Sequence, residues 1–157
     1  MKILIIYASR HGSTKKAVYY LKEKITHETV IVNLKKESVP DMGSFDAVII
    51  GGSIHAGQLQ SKVKNYCTDN KDKLLKTDLG LFICHMEEGE KATKELADVY
   101  PEELLNHAKA TGLFGGEFIF EKMNFLERMI IKKISGLKES VSKINYETIQ
   151  QFANSFN

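Results

Sequence analysis

The chain has 157 residues, 43% of them hydrophobic, enough for one well-packed core and too few for two, so a single domain over residues 1–157 is expected. Its 22 basic and 20 acidic residues leave a formal charge of +2, and Trp is absent, so neither charge nor aromatic content points to nucleic acid. Two cysteines, Cys67 and Cys84, make a disulfide framework implausible; with no secretory leader and no apolar run near the ~18 residues of a membrane span, a cytoplasmic protein is expected.

Lys2–Tyr7 is an apolar run of strand length, and a helix is expected from Ser13 to about Thr26, with Ala17, Val18, Leu21 and Ile25 on one face. Thr29–Leu34 is a second, more polar strand, and Pro40 and Gly43 mark the loop after it. Ala47–Ile50 is the third, running into the glycine-rich stretch Gly51-Gly-Ser-Ile-His-Ala-Gly-Gln58 and then a helix with Val63 and Tyr66 on its apolar side. Leu79–Cys84 is the fourth, followed by the loop His85–Gly89 and a helix to about His107. Gly112–Phe120 reads as a fifth strand, Phe125–Ile134 as an amphipathic helix and Tyr146–Phe156 as a closing helix.

Strands that alternate with helices make a parallel sheet covered on both faces. Right-handed crossovers leave few topologies, and a three-layer, doubly wound α/β fold with five parallel strands is expected. Such sheets bind ligands in the crevice outside the carboxyl ends of their strands, where the strand order reverses. The loops after strands one and three are the unusual ones. Ser9-Arg-His-Gly-Ser-Thr14 offers hydroxyls from Ser9, Ser13 and Thr14, a Gly12 that lets the backbone curl around an anion, and the unpartnered amides of a helix start. Arg10 could add a charge-assisted contact and ranks below the hydroxyls. The plain alternative is an ordinary helix cap by Ser13 or Thr14. His11, His55 and His85 follow strands one, three and four and are expected to converge at one edge. A three-histidine metal site there would leave the phosphate-like turn unexplained, so no metal is expected.

Ser9–Thr14 resembles the phosphate-binding loop of flavodoxins, with Gly12 and Thr14 on its two firmest positions. The resemblance implies the strand order 2-1-3-4-5, with FMN as cofactor at the crevice between strands one and three, its phosphate held by Ser9, Arg10, His11, Gly12, Ser13 and Thr14. Ser53, Ile54, His55, Ala56, Gly57 and Gln58 would lie on one side of the isoalloxazine ring, and Cys84, His85, Met86, Glu87 and Gly89 on the other. Gly57 would let the backbone approach flavin N5. Within the superfamily, Gly51-Gly-Ser-Ile-His-Ala-Gly57, Met129-Ile-Ile-Lys-Lys-Ile-Ser-Gly136 and Tyr146–Phe152 resemble segments of the quinone-dependent protoporphyrinogen dehydrogenases, a family of single flavodoxin-type domains in haem biosynthesis. A basic segment that follows strand four in that family is replaced here by Glu87, Glu88, Glu90, Glu95, Asp98, Glu102 and Glu103. The resemblance implies an FMN-dependent oxidoreductase acting with a quinone or a redox partner protein; an electron shuttle with no substrate of its own is the alternative.

Neither ring-facing loop carries Trp or Tyr, and His55 and His85 stand nearby, a combination expected to favour two-electron chemistry with these histidines handling protons. The stripe Met123, Phe125, Leu126, Met129, Ile130, Ile131 and Ile134, with Lys122, Arg128, Lys132, Lys133 and Lys138 around it, is expected to pack on the sheet. Its second reading is peripheral contact with an anionic membrane or a quinone-bearing partner through residues 123–134. The acidic stretch from Glu87 to Glu103 is expected to be a solvated helix face rather than a docking site for a basic partner. A receiver domain would need clustered acids after strands one and three, a nucleotide-binding domain Gly-x-Gly-x-x-Gly or a P-loop, and a hydrolase Gly-x-Ser-x-Gly; none is present.

Overall fold

The structure, a computed structural model, describes residues 1–136 and 139–157. In chain order its first half contains β1 (Lys2–Ala8), α1 (Ser13–Lys24), β2 (Glu28–Asn33), β3 (Ala47–His55), β4 (Gln58–Leu59), α2 (Ser61–Asp69) and α3 (Lys71–Leu74). The second half adds β5 (Asp78–Cys84), α4 (Gly89–Val99), α5 (Glu102–His107), β6 (Ala110–Leu113), β7 (Glu117–Phe118), α6 (Phe125–Ser135), β8 (Val141–Ser142) and α7 (Tyr146–Asn154).

β1 lies in the middle because its side chains suit burial on both faces. Ile3, Ile5 and Tyr7 join Ala17, Val18 and Leu21 of α1 and Ile149 and Phe152 of α7 in one cluster. Leu4, Ile6 and Ala8 join Val63 of α2, Leu96 of α4 and Leu104 of α5 in the other. The period of two thus produces three layers. The parallel strands run β2-β1-β3-β5-β6, which is the expected order 2-1-3-4-5 once the short antiparallel β4 beside β3 is set aside. Register pairs Tyr7 with Gly51 and Ala8 with Gly52, then Gly51 with Phe82, so the carboxyl ends of β1, β3 and β5 finish at one edge. The buried Tyr100 phenol pins this centre by donating to Phe82 O at 2.7 Å.

Several expected boundaries move, each for a local reason. β3 continues past Ile50 to His55 and turns back through Ala56 (φ 50°) and Gly57 (φ 72°), so the glycine-rich stretch is the end of a strand and a tight hairpin rather than an open loop. Two consecutive residues at positive φ match the right-handed twist of the paired strands. The single helix expected up to His107 is two, α4 and α5, because Pro101 holds Tyr100 in the extended region (φ −109°, ψ 150°). The fifth strand stops at Leu113. Gly115 (φ 72°) turns the chain away, and Glu117–Phe118 pairs with Val141–Ser142 in a separate two-stranded sheet.

The largest departure is α6. It was expected to lay its apolar stripe on the sheet, yet none of its residues is buried. Phe125 is 77% exposed, Leu126 65%, Met129 51%, Ile130 47% and Ile134 80%. The face turned inward is instead the one carrying Glu127, which meets residues of the loop after β1. Lys138, placed with the basic flank of this helix, lies outside the described residues. The acidic stretch from Glu87 to Glu103 is laced with lysines, through Glu87–Lys91, Asp98–Lys94 and Glu103–Lys71, as befits a solvated face, with Glu95 turned inward.

Gly115 and Gly57 share φ 72° but differ in surroundings. A Cβ at Gly115 would run into Lys143 O, whereas one at Gly57 would meet nothing within 4 Å. Gly115→Ala should therefore cost at least about 2 kcal/mol and Gly57→Ala about 1 kcal/mol in denaturant unfolding, and equal losses would mean that the β6–β7 turn is not so tightly held.

Candidate functional site

The loop between β1 and α1 departs from ordinary helix capping. Gly12, at φ 93°, is the N-cap of α1, and no side chain caps the helix. Neither Ser13 nor Thr14 serves as cap; Ser9 Oγ instead accepts the Gly12 N–H at 3.0 Å and tightens the turn. The first helical bond runs from Lys16 N–H to Gly12 O, so the amides ahead of it point beyond the helix end. Thr14 is fully buried, yet its Oγ1 has no hydrogen-bond partner. A buried hydroxyl left in this state costs about 1–3 kcal/mol, which makes it a strong sign of an absent acceptor or donor. Burial pushes the adjacent Cys84 thiol up to about 12 and the Thr14 hydroxyl beside it acts in the opposite direction, although no contact of Thr14 Oγ1 meets hydrogen-bond geometry.

Charged groups reach this loop from a distant segment. Lys122 Nζ lies 3.1 Å from where a Gly12 Cβ would be. His11 Nδ1 is 3.1 Å from Lys122 O and its Nε2 is 2.6 Å from Glu127 Oε2, and Arg10 lies 3.4 Å from the same carboxylate. An orphan hydroxyl, uncapped amides, a left-handed glycine and a lysine therefore surround one small volume. That set fits a tetrahedral phosphate oxyanion.

On the β3–β4 hairpin, the Ser53 hydroxyl and His55 Nε2 are 3.1 Å apart, and the His11 and His55 rings meet edge to face with centroids 6.2 Å apart. Burial, then the charges of Arg10 and His11, lower His55 to about 4, with Glu127 opposing. Its imidazole is therefore neutral at pH 7. Ile54 and Gln58 pair across the hairpin with Leu59 and His55, while Ala56 and Gly57 form its tip.

The third loop leaves β5 at Cys84, which is buried. His85 is tied down by its own N–H, which donates to Gly115 O at 2.8 Å, and its ring turns to α4, where Nδ1 lies 3.2 Å from Glu95 Oε2. Those two atoms are close but not aligned, since each is buried without a hydrogen-bond partner. Burial lowers His85, opposed by Glu87, and raises Glu95, so both groups are driven toward neutral forms. Met86, Glu87 and Gly89 border a hollow of about 510 Å3 beside this loop, which Thr93, Thr111 and Thr148 also line. His11 and His55 thus meet as a pair while His85 pairs with Glu95. Among the described residues no group of three or more His, Cys, Asp or Glu side chains is placed to hold a metal ion.

Residues 4–144 match the model of the flavodoxin domain family. This chain belongs to that family. It is similar to a Leishmania major protein named protoporphyrinogen IX dehydrogenase [quinone], at 24% identity over 172 residues that cover 99% of this chain and 74% of that one. An Escherichia coli K12 protein of the same name is 22% identical over 166 residues, covering 98% and 92%. Among solved structures, rubredoxin oxygen:oxidoreductase from Desulfovibrio gigas matches with TM-score 0.63 at 19% identity, over 99% of this chain and 35% of that one. A flavodoxin from Streptococcus pneumoniae TIGR4 matches with TM-score 0.60 at 13% identity, over 99% and 97%. At these identities the structural likeness speaks to the fold.

In this flavodoxin domain, sequence reasoning missed Lys122, Glu127 and Glu95. Lys122 and Glu127 reach the loop after β1 from more than a hundred residues away, and Glu95 reaches His85 from the helix that follows its loop; residue type alone marks them only as basic or acidic flank positions. The depressed His55 gives a signed pH dependence. An unfolded histidine takes up a proton near 6.5 and the folded one only near 4, so the His55 contribution to stability is lost as pH falls through that window. Imidazole 15N shifts that keep His55 neutral at pH 5 are expected, and a midpoint near 6.5 would contradict the buried, cation-flanked site.

Proposed function

We propose that this chain binds FMN and is an oxidoreductase that passes electrons to a quinone, with a protoporphyrinogen-type substrate class suggested by the names of its curated relatives. The observation that carries the reading is Thr14 Oγ1, fully buried and unpartnered at an uncapped helix start. In this reading Ser9, Arg10, His11, Gly12, Ser13 and Thr14 hold the phosphate. Ser53 to Gln58 flank one side of the ring system, and Cys84, His85, Met86, Glu87 and Gly89 the other. FMN supplies the redox chemistry when bound; the protein supplies position, access and polarity.

The depressed histidines change one part of the sequence reading. His55 is neutral at pH 7 and burial favours the neutral form of His85, so they offer hydrogen bonds rather than positive charge, and the support for two-electron chemistry reduces to ring-facing loops without Trp, Tyr or Phe. A Ser53-oriented imidazole can still hold or pass a proton at Nδ1, since Nε2 faces the Ser53 hydroxyl. The shuttle reading differs in one observable. A substrate-turning enzyme should show a reductive titration with a single set of isosbestic points, while accumulation of a one-electron flavin species would assign the chain to electron shuttling.

The exposed face of α6 supports a place for the quinone. Five apolar side chains between Phe125 and Ile134 face solvent, and Arg128, Lys132 and Lys133 on the same helix are exposed, as on helices that lie in an anionic membrane interface. No helix among the described residues is long and apolar enough to cross a membrane, so this contact would be peripheral. Co-sedimentation with vesicles containing anionic lipid is expected, weakened by Met129→Asp and by the double change Lys132→Glu, Lys133→Glu. Equal recovery of all three proteins would remove the membrane contact.

Thr14→Val tests the cofactor reading directly. It removes a phosphate donor and also an unsatisfied buried hydroxyl, so FMN affinity should fall about tenfold while the stability of the apoprotein stays level or rises. Unchanged FMN affinity would sink this reading of the loop.

A further inference from the structure

Three basic side chains, Arg10, His11 and Lys122, stand around the loop between β1 and α1, and they are not equivalent. Glu127 Oε2 lies 2.6 Å from His11 Nε2 and 3.4 Å from Arg10. His11 is further occupied at Nδ1 by Lys122 O, 3.1 Å away, so both ring nitrogens face acceptors of the 120–127 segment. Lys122 has no carboxylate partner among the described residues, although its Nζ stands 3.1 Å from the position of a Gly12 Cβ. Any side chain at Gly12 would crowd that ammonium out of the loop.

The lysine is placed by its backbone. Residues Phe120–Lys122 form a 3-10 turn whose Lys122 N–H donates to Ile119 O at 3.0 Å, and the Lys122 carbonyl is the one that faces His11. Two residues on, Asn124 Oδ1 accepts the Glu127 N–H at 2.8 Å and starts α6, which aims Glu127 at the same loop. One short segment thus delivers a free cation and a competing anion to the loop in which the Thr14 hydroxyl is buried and unpartnered.

Resting on the FMN reading above, we propose that Lys122 is a phosphate ligand supplied from outside the loop, and that Glu127 is a built-in counter-anion that sets how strongly Arg10 and His11 can assist it. Neutral amides and hydroxyls give shape to the site; the lysine gives it charge. Selection of FMN over riboflavin then depends on an ammonium that the loop motif does not contain. It also depends on salt, because Lys122 is exposed and screening acts on it. The loop's anion affinity is further linked to the segment that presents the apolar face of α6, since the same few residues serve both.

The test is a fluorescence titration of apoprotein with FMN and with riboflavin, at low and high ionic strength, for wild type, Lys122→Gln, Lys122→Arg and Glu127→Gln. Lys122→Gln should weaken FMN about tenfold and flatten its salt dependence while leaving riboflavin unchanged, and Lys122→Arg should retain most of the FMN preference. Glu127→Gln should tighten FMN severalfold by releasing Arg10 and His11. FMN affinity of Lys122→Gln within twofold of wild type would overturn the lysine's role and leave the cofactor reading standing. Failure of wild type to bind either flavin would overturn the cofactor reading, and this proposal with it.

Discussion

Parallel pairing of β1 with β3 is the constraint on which the site depends. Because Tyr7 and Ala8 pair with Gly51 and Gly52, the turn into α1 and the β3–β4 hairpin leave the sheet side by side and at the same edge. The backbone at this edge cannot be capped by its own strands, and the α1 amides are not capped by a side chain either. The apolar packing on both faces fixes β1 and α1 so that Thr14, the second residue of α1, is buried with its hydroxyl unpartnered. Core packing therefore carries the cost of a polar group held ready at the loop.

Electrostatics at the loop are arranged by a segment that begins over a hundred residues later. Glu127 draws Arg10 and His11 together, and burial, with the Arg10 charge added to it, keeps the neighbouring His55 neutral. A neutral imidazole beside a cationic loop separates two tasks, holding an anion and handling a proton, that one protonated histidine could not serve at once. The same segment presents the apolar face of α6 to solvent, so a surface suited to a lipid interface and a cluster suited to a phosphate share one stretch of chain.

Much of this architecture was legible in the sequence. The two-sided apolar run of β1, the alternation of strands and helices and the Ser9–Thr14 turn each report a local pattern, and local patterns are what composition and periodicity record. The hairpin after β3 was partly legible, because Gly57 marks a turn, but the strand continuing through Gly51 and Gly52 was hidden by glycines that look like loop residues and are there to admit Phe82 and Val63. The break at Gly115 was missed because its cause is the approach of Lys143, nearly thirty residues on. For α6 the amphipathic pattern was right and the direction wrong. Periodicity gives an apolar face but not its partner, and here the inward contact is made by Glu127 with Arg10 and His11. Lys122 and Glu95 read as members of a basic flank and an acidic stretch, patterns that do not record which loop each one meets.

The central claim is that the loop between β1 and α1 holds the phosphate of a flavin. Phosphorus-31 NMR of FMN mixed with excess apoprotein reads that contact at the phosphate itself. The account predicts a resonance shifted from that of free FMN, with its titration near pH ~6 suppressed because the cradle favours the charged form. A resonance that keeps both the position and the titration of free FMN would contradict it.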